Sequence, residues 1–477
     1  MLFNSYIFIL CFLPLTVAVY FGLNRRGKYN AAKLSLVIAS LIFCGYNDIT
    51  YVHILISSIL MNYLACMLLG RFPDRSRLIV AVGVIANVAL LGYFKYFNFL
   101  LENLNALTGG DFDYLELVLP LGISYFSFQQ ISYLIEAGKG ACSDYSFLDY
   151  VLYVTFFPRL ISGPIVPHDE LLPQFASREN KSVDTSNIVK GLQLFSIGLF
   201  KKVIVADAFG KIVKYGYGHI STLNSLEAVL TILAYTIQIY YDFSGYSDMA
   251  VGVGLLFNIQ LPINFNSPYK AKTIVEFWER WHMSLTRFLT KYVYIPLGGN
   301  RKGTVRTYIN ILIVFLVSGI WHGAGWTFIL WGLLHGIANG LCRLFSKQIE
   351  KIPGWINWTV NFLFLNLTWI FFRAESLEQA WRLLGRVTSG GFTINEELTE
   401  SLLQPTLINL PAQFVPFLWV ILGYTVAALG VSFFARNSNE IVSRRQTSLW
   451  SLLWCYGLFI VSTLSMSGVS TFLYNNF

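Results

Sequence analysis

Residues 306–340 read RTYINILIVFLVSGIWHGAGWTFILWGLLHGIANG. The run is apolar almost throughout, yet Trp321, His322 and Gly323 stand at its centre, far from any flanking charge. An ionisable side chain at that depth in membrane-like sequence is expensive and is read first as functional. Two readings stand for His322: a buried histidine bonded to a neighbouring carbonyl, or a chemical group facing a substrate. Gly319, Gly323 and Gly325 favour the second, since they leave room for a substrate or for a close backbone approach. A neutral imidazole can serve as general base near pH 7, an effect typically worth about 10²–10⁴-fold.

The chain around this stretch is of the same kind. Of 477 residues, 55% are hydrophobic and 13% charged, and the mean hydropathy is +0.56; a soluble domain carries about 25% charged residues. The composition is that of an all-α polytopic membrane protein. It reads as a single integral-membrane domain over 1–477, with N-terminal helices over 1–110, a core over 115–345 and C-terminal helices over 356–477. No polar stretch is long enough for a soluble domain. The net charge of +8 lies in short loops, where it sets topology, and no basic tail points to nucleic acid. The six cysteines are scattered, mostly inside apolar runs and without a CxxC, as small buried hydrophobes are.

A spanning helix needs about 20 apolar residues. Candidate segments lie at about 2–23, 31–47, 49–70, 78–97, 115–137, 147–165, 188–209, 226–241, 243–257, 306–327, 328–345, 356–372, 412–435 and 448–472, of which about eleven are expected to cross, the others being re-entrant. The N-terminal run lacks a basic n-region and is followed by Arg25, Arg26 and Lys28, so it is expected to stay in the membrane with its start outside. Basic loops at 25–33, 71–77, 270–306 and 343–351, with Arg436, Arg444 and Arg445, read as cytoplasmic. The acidic loops at 98–116 and 391–411, the latter with Glu396, Glu397 and Glu400, read as external. Both termini are therefore expected outside.

One charged segment is expected not to cross. Residues 274–292 (IVEFWERWHMSLTRFLTKY) read as one amphipathic helix, with Phe277, Trp281, Leu285, Phe288 and Tyr292 as an apolar stripe. Glu276, Arg280, Arg287 and Lys291 lie opposite, and His282 falls at the apolar edge. Such a helix lies in the cytoplasmic interface or dips inward. Unaided, His282 and His335 read as structural histidines. No GxSxG, phosphate loop, GxGxxG or metal-ligand spacing occurs, so no metal is expected. The stretch 240–248 (YYDFSGYSD) puts Asp242 and Asp248 in an apolar region. It reads either as an ion or proton site of a transporter or as a polar helix break.

At these blocks a resemblance enters. PLGISYFSFQQISYLIEA (120–137), FFPRLISGPIVP (156–167), YYDFSGYSDMAVGVGLLF (240–257), NFNSPYKAKTIVEFWERWHMSLTRFLTKYVYIPLGGNRKG (264–303) and SGIWHGAGWTFILWGLLHG (318–336) resemble the membrane-bound O-acyltransferases, in particular the alginate O-acetyltransferase membrane-subunit branch. The resemblance implies a ring of tilted helices around a tunnelled core in the bacterial inner membrane. It implies His322 and His282 as catalytic residues. Around them we take Trp321, Trp278, Arg280, Asn266 and Arg287 as candidate substrate-binding residues. It further implies acetyl-CoA as cytosolic donor with no resident cofactor, a periplasmic SGNH-type partner, a polysaccharide synthase or export complex, and O-acetylation of a polysaccharide, alginate first. On this reading His282 lies near the cytosolic face and His322 toward the outer half, at two ends of a path. Many relatives end in an aromatic Phe-Ile-Tyr-Phe-x-Phe tail; here residues 472–477 read FLYNNF. A sugar or lipid-precursor transporter, D-alanyl-type transfer to an envelope polymer, and a non-catalytic scaffold are the other classes.

Overall fold

The computed structural model describes residues 1–141, 145–391, 417–444, 449–466 and 472–473, with helices joined by turns and no strand among them. The acidic residues Glu396, Glu397 and Glu400, together with Cys142, Arg445 and Tyr474–Phe477, lie outside the described residues. The chain divides into two compact units, Met1–Phe195 with Ala250–Pro262, and Ser196–Met249 with Ile263–Phe477.

The first unit is built on the helices Leu13–Arg25, Tyr29–Gly45, Thr50–Arg71 and Ser76–Leu91. Several of its interior polar groups are matched in pairs. The Asn62 and Asn87 amides exchange hydrogen bonds of 3.1 and 2.7 Å, a kind of interhelical bond that supplements packing where lipid removes the hydrophobic drive. Lys33 closes a 2.6 Å ion pair with Asp149, and Asp149 shares a capping box with Ser146 at the start of Phe147–Thr155. Arg159 is wholly buried; it donates to the Val166 carbonyl at 2.9 Å and lies 4.3 Å over the Tyr153 ring.

The second unit holds the Trp-His-Gly stretch. Thr304–His322 and Trp326–Leu344 form a helical hairpin whose seam is made of glycines. A Cβ on Gly319 would lie 2.4 Å from the Phe328 carbonyl oxygen, and one on Gly332 would lie 2.5 Å from that of Phe315. Small residues at such a crossing let two backbones touch, which is how helices associate in lipid. At Gly323 the added atom would meet the Phe328 ring at 2.1 Å. Of the two uses open to Gly319 and Gly323, close packing is the one realised.

Among the described residues, four helices are long and apolar enough to cross a membrane: Phe8–Arg25, Thr50–Arg71, Pro73–Thr108 and Thr304–His322. Trp419–Phe434 and Ser438–Arg444, bent by 60°, would make a fifth. Other expected segments are short or broken, such as 147–165, which divides into Phe147–Thr155 and Phe157–Leu160. Two expectations are corrected. The segments 226–241 and 243–257 are one helix, Ser225–Leu256. Asp242 and Asp248 do not break it, because both are buried in ion pairs with Lys202 and Lys201. The segment 274–292 is not one helix. It divides into Ile274–Arg280 and Met283–Leu289, followed by a wider turn over Thr290–Tyr294. Its stripe residues Phe277, Trp281, Leu285 and Phe288 are buried, so the segment is part of the core.

Because Gly319 meets backbone and not a flexible side chain, Gly319→Val is expected to destabilise the purified protein by about 1–3 kcal/mol. Gly325, extended and with no atom nearer than 3.7 Å to an added Cβ, should accept alanine without loss. Thermal unfolding in detergent reads both; equal melting of the two variants would contradict the seam.

Candidate active site

The break in 274–292 is what builds the site. At its centre His282 takes a left-handed backbone conformation (φ 45°, ψ 50°), uncommon and costly for a residue with a Cβ. Asn264 holds it there. Its carbonyl accepts from the Met283 N–H at 3.0 Å, and its Oδ1 accepts from the Ser284 N–H at 3.1 Å, so it caps the second short helix from a neighbouring loop. Asn266 and Arg280 clasp the same two strands of chain: the Asn266 N–H donates to the Arg280 carbonyl at 2.9 Å, and Arg280 Nη1 donates to the Asn266 carbonyl at 3.2 Å.

This turn carries the His282 ring inward. It is fully buried, edge-on to Phe243 at 4.7 Å, and 6.5 Å from the ring of His322. His322 is the last residue of Thr304–His322 and is 3% exposed. Trp321, Trp331 and Phe372 surround it at 4.9, 5.3 and 5.2 Å. The histidines therefore share one aromatic chamber and are not the distant ends of a path. The helix break, invisible to a periodicity reading, is the reason. Burial pushes the His282 imidazole down to about 3, so this ring is neutral at physiological pH.

Of the other candidates, Trp321 is buried beside both histidines, with its ring 6.2 Å from His282. Trp278 lines a cavity of about 340 Å³ between the two short helices and the hairpin, together with Thr286, Asn300, Ser318, Asn339 and Arg343. Ser318 precedes His322 by one helical turn and shares its face. The histidine rings themselves do not line this cavity. Arg280 is paired with Glu276 at 2.8 Å, and Asn266 accepts from Asn437 at 3.0 Å. With the clasp, these contacts place both residues in holding the turn and not on the cavity wall. Arg287 is exposed and also absent from the wall.

Sequence reading missed Asn264, Ser318, Arg343 and Trp331. Helical spacing was the available signal for Ser318, four residues before His322, and for Arg343, four after Asn339. The Trp331 indole N–H and the Asn264 Nδ2 are buried donors without a hydrogen-bond partner among the described residues. His335 is a core histidine with fixed roles. Its Nδ1 accepts from the Trp278 indole at 3.2 Å, and its Nε2 meets Thr368 at 3.1 Å. An indole can only donate, so the proton of the neutral ring sits on Nε2.

The carboxylates of 240–248 are engaged in ion pairs. Asp242 meets Lys202 at 2.6 Å with both side chains 2% exposed, and Lys202 also reaches Asp207 at 2.9 Å. Asp248 pairs with Lys201 at 2.7 Å and accepts from Ser438 at 2.5 Å. The second oxygen of Asp242 accepts from the Leu473 N–H at 2.9 Å, and the Phe472 ring lies 4.7 Å from the Lys202 ammonium. Phe472 and Leu473 thus reach the buried ion pair.

The described residues thus form helices only, with two histidines buried close together near a cavity. Residues 77–378 match the model of the membrane-bound O-acyltransferase family, and the chain belongs to that family. It is similar to a peptidoglycan O-acetyltransferase of Helicobacter pylori, 42% identical over 100% of this chain and 98% of that protein. It is similar to a probable alginate O-acetylase AlgI of Azotobacter vinelandii, 36% identical over 83% of this chain and 80% of that protein. A teichoic acid D-alanyltransferase of Bacillus subtilis is 29% identical over 49% of this chain and 62% of that protein. The protein is a multi-pass membrane O-acyltransferase.

Removing the Asp242 charge would leave buried Lys202 paired with the more exposed Asp207 alone, at a cost below the roughly 3–5 kcal/mol of a fully uncompensated buried charge. Asp242→Asn is therefore expected to lower the melting temperature and the yield of folded protein. A folded Asp242→Asn variant with wild-type melting and a selective loss of solute uptake would restore the transporter reading.

Proposed function

We propose that this protein moves an acetyl group from cytosolic acetyl-CoA to an extracytoplasmic glycan of the cell envelope, with His322 as general base. The supporting observation is the meeting of His282 and His322, 6.5 Å apart and buried, behind a cavity that carries Arg343 and Asn300 on its wall. The topology used here is the one expected above: about eleven crossings, basic loops inside and both termini outside, in the bacterial inner membrane. The cavity takes the donor, with Arg343 toward its phosphates and Trp278 and Ser318 along the thioester arm. His322 takes the proton of the acceptor hydroxyl. The hydroxyl oxygen bonds to the thioester carbonyl carbon, the carbon–sulfur bond breaks, and CoA leaves as a thiolate that is then protonated. The Trp331 indole N–H is the donor we assign to the carbonyl oxygen as it gains charge, since a preorganised donor in a dry site acts most strongly there. His282, neutral, orients the acceptor or His322.

The acceptor favoured by the similarities is peptidoglycan, because the 42% relative spans the whole chain. Alginate, supported at 36%, is second. An extracytoplasmic SGNH-type transferase and a polymer synthase or export complex are the partners of this reading.

His322→Ala, expressed in a strain deleted for the native gene, should leave folded protein in the membrane and remove glycan-bound acetate, measured as base-released acetate from purified peptidoglycan. Acetate at the wild-type level would overturn the assignment; acetate lost from alginate but not from peptidoglycan would exchange the acceptors. Trp331→Phe keeps the ring and removes the donor, and should lower kcat on the order of 10²-fold with little change in KM for acetyl-CoA. An unchanged kcat would remove Trp331 from the mechanism.

A further inference from the structure

A second cavity, of about 390 Å³, lies in the unit Ser196–Met249 with Ile263–Phe477 and shares no lining residue with the first. Ile197, Ile204, Tyr241, Tyr424, Ala427 and Val431 are among the residues that form its walls. Along the walls away from Arg436, the polar groups of Tyr241, Tyr424 and Lys201 are used within the protein. The Tyr241 hydroxyl donates to the Ala428 carbonyl at 3.0 Å and accepts from Ser432 at 3.1 Å. The Tyr424 hydroxyl donates to the Ile204 carbonyl at 2.5 Å. Lys201 is paired with Asp248. What remains to face the space is hydrocarbon, which fits an alkyl chain and offers nothing to a sugar or nucleotide.

Two observations identify which hydrocarbon. The cavity opens on a surface of exposed apolar side chains: Val431 and Trp454, both lining it, are 55% and 40% exposed, and neighbouring Phe434 is 84% exposed. That surface faces lipid in a membrane protein. At one end the wall is the 60° bend between Trp419–Phe434 and Ser438–Arg444. The bend presents Arg436, which is exposed and makes no ion pair among the described residues. A guanidinium at the polar end of an apolar slot suits a phosphate headgroup with its chain inside.

We propose that this cavity is a site for an anionic phospholipid, with one acyl chain between Tyr241 and Val431 and the headgroup phosphate on Arg436. The site does not rest on the catalytic reading. It adjoins the catalytic turn, however. Tyr240 lines the cavity and packs 6.0 Å from Phe265 and 6.3 Å from Trp281, the residue before His282. A chain in the slot supports the wall against which that turn is held.

The test is native mass spectrometry of the full chain, delipidated in detergent and titrated with phosphatidylglycerol or phosphatidylcholine, with thermal unfolding in parallel. Wild type should retain phosphatidylglycerol over phosphatidylcholine by about fivefold, the contribution of one interfacial arginine, and melt higher with it. Arg436→Gln, an exposed change that leaves the core intact, should remove the preference and keep phosphatidylcholine binding. Ala427→Trp, which fills the slot, should lose both lipids and the thermal gain. Equal binding of the two lipids by wild type, or an undiminished preference in Arg436→Gln, would overturn the proposal even if Ala427→Trp fails to fold. Undiminished phosphatidylglycerol binding by a folded Ala427→Trp would place the lipid elsewhere and overturn it as well.

Discussion

The chamber depends on one backbone conformation. A residue with a Cβ in the left-handed region costs roughly 1–2 kcal/mol, and His282 is held there by Asn264 from a separate loop. If the chain continued as a helix through 281–282, His282 would stay at the edge of an amphipathic stripe. The turn instead redirects the ring toward Phe243 and His322. Strain of this kind persists where surrounding contacts over-determine it. Here those contacts are the Asn264 cap, the Asn266–Arg280 clasp, and Trp281 packed on Phe265 and Phe277 at 4.9 and 5.4 Å.

The second histidine is placed by a different device. His322 ends its helix, and the chain then runs extended through Gly323 and Gly325 before Trp326–Leu344 begins. The Gly319–Gly332 seam sets the separation of the two helices, so the position of His322 follows from backbone-to-backbone contact. Side chains at this seam would move the ring by changing the crossing. One histidine is fixed by hydrogen bonds around a strained turn and the other by steric closeness. Their meeting needs both.

Much of this was legible from residues, and the failures share a cause. Hydropathy identified most of the helices, and the depth of Trp321-His322-Gly323 in an apolar run marked His322. Periodicity failed at 274–292 because helical spacing persists on both sides of a single redirected residue; Phe277, Trp281, Leu285 and Phe288 are buried as a stripe would be, although the helix beneath them is broken. It failed at 240–248 because the lysines that neutralise the carboxylates, Lys201 and Lys202, stand about forty residues earlier. Arg280 and Asn266 looked like ligand groups because polar residues next to a histidine usually do. The Arg280 guanidinium meets Glu276 and the Asn266 carbonyl, and the Asn266 side chain meets Asn437, the last two being pairings that only folding brings together.

His335 shows how a core histidine can still bear on chemistry. Sequence reading took it as structural and His322, with its flanking glycines, as functional, although both lie in apolar helices near tryptophans. The difference is in their hydrogen bonds. Trp278 donates to His335 Nδ1, the protonated Nε2 faces Thr368, and Thr368 in turn donates to the Leu365 carbonyl at 3.0 Å. Each link has only one sense, because the indole cannot accept and the carbonyl cannot donate. Donation therefore runs from Trp278, on the wall of the first cavity, to the helix Gly354–Arg373. A ring whose tautomer is fixed on both sides is a poor general base, since taking a proton would displace a donor already bonded to it. Such a ring is suited to holding Trp278 against the cavity. His335 thus stands behind the wall of the cavity, where it holds Trp278 in place.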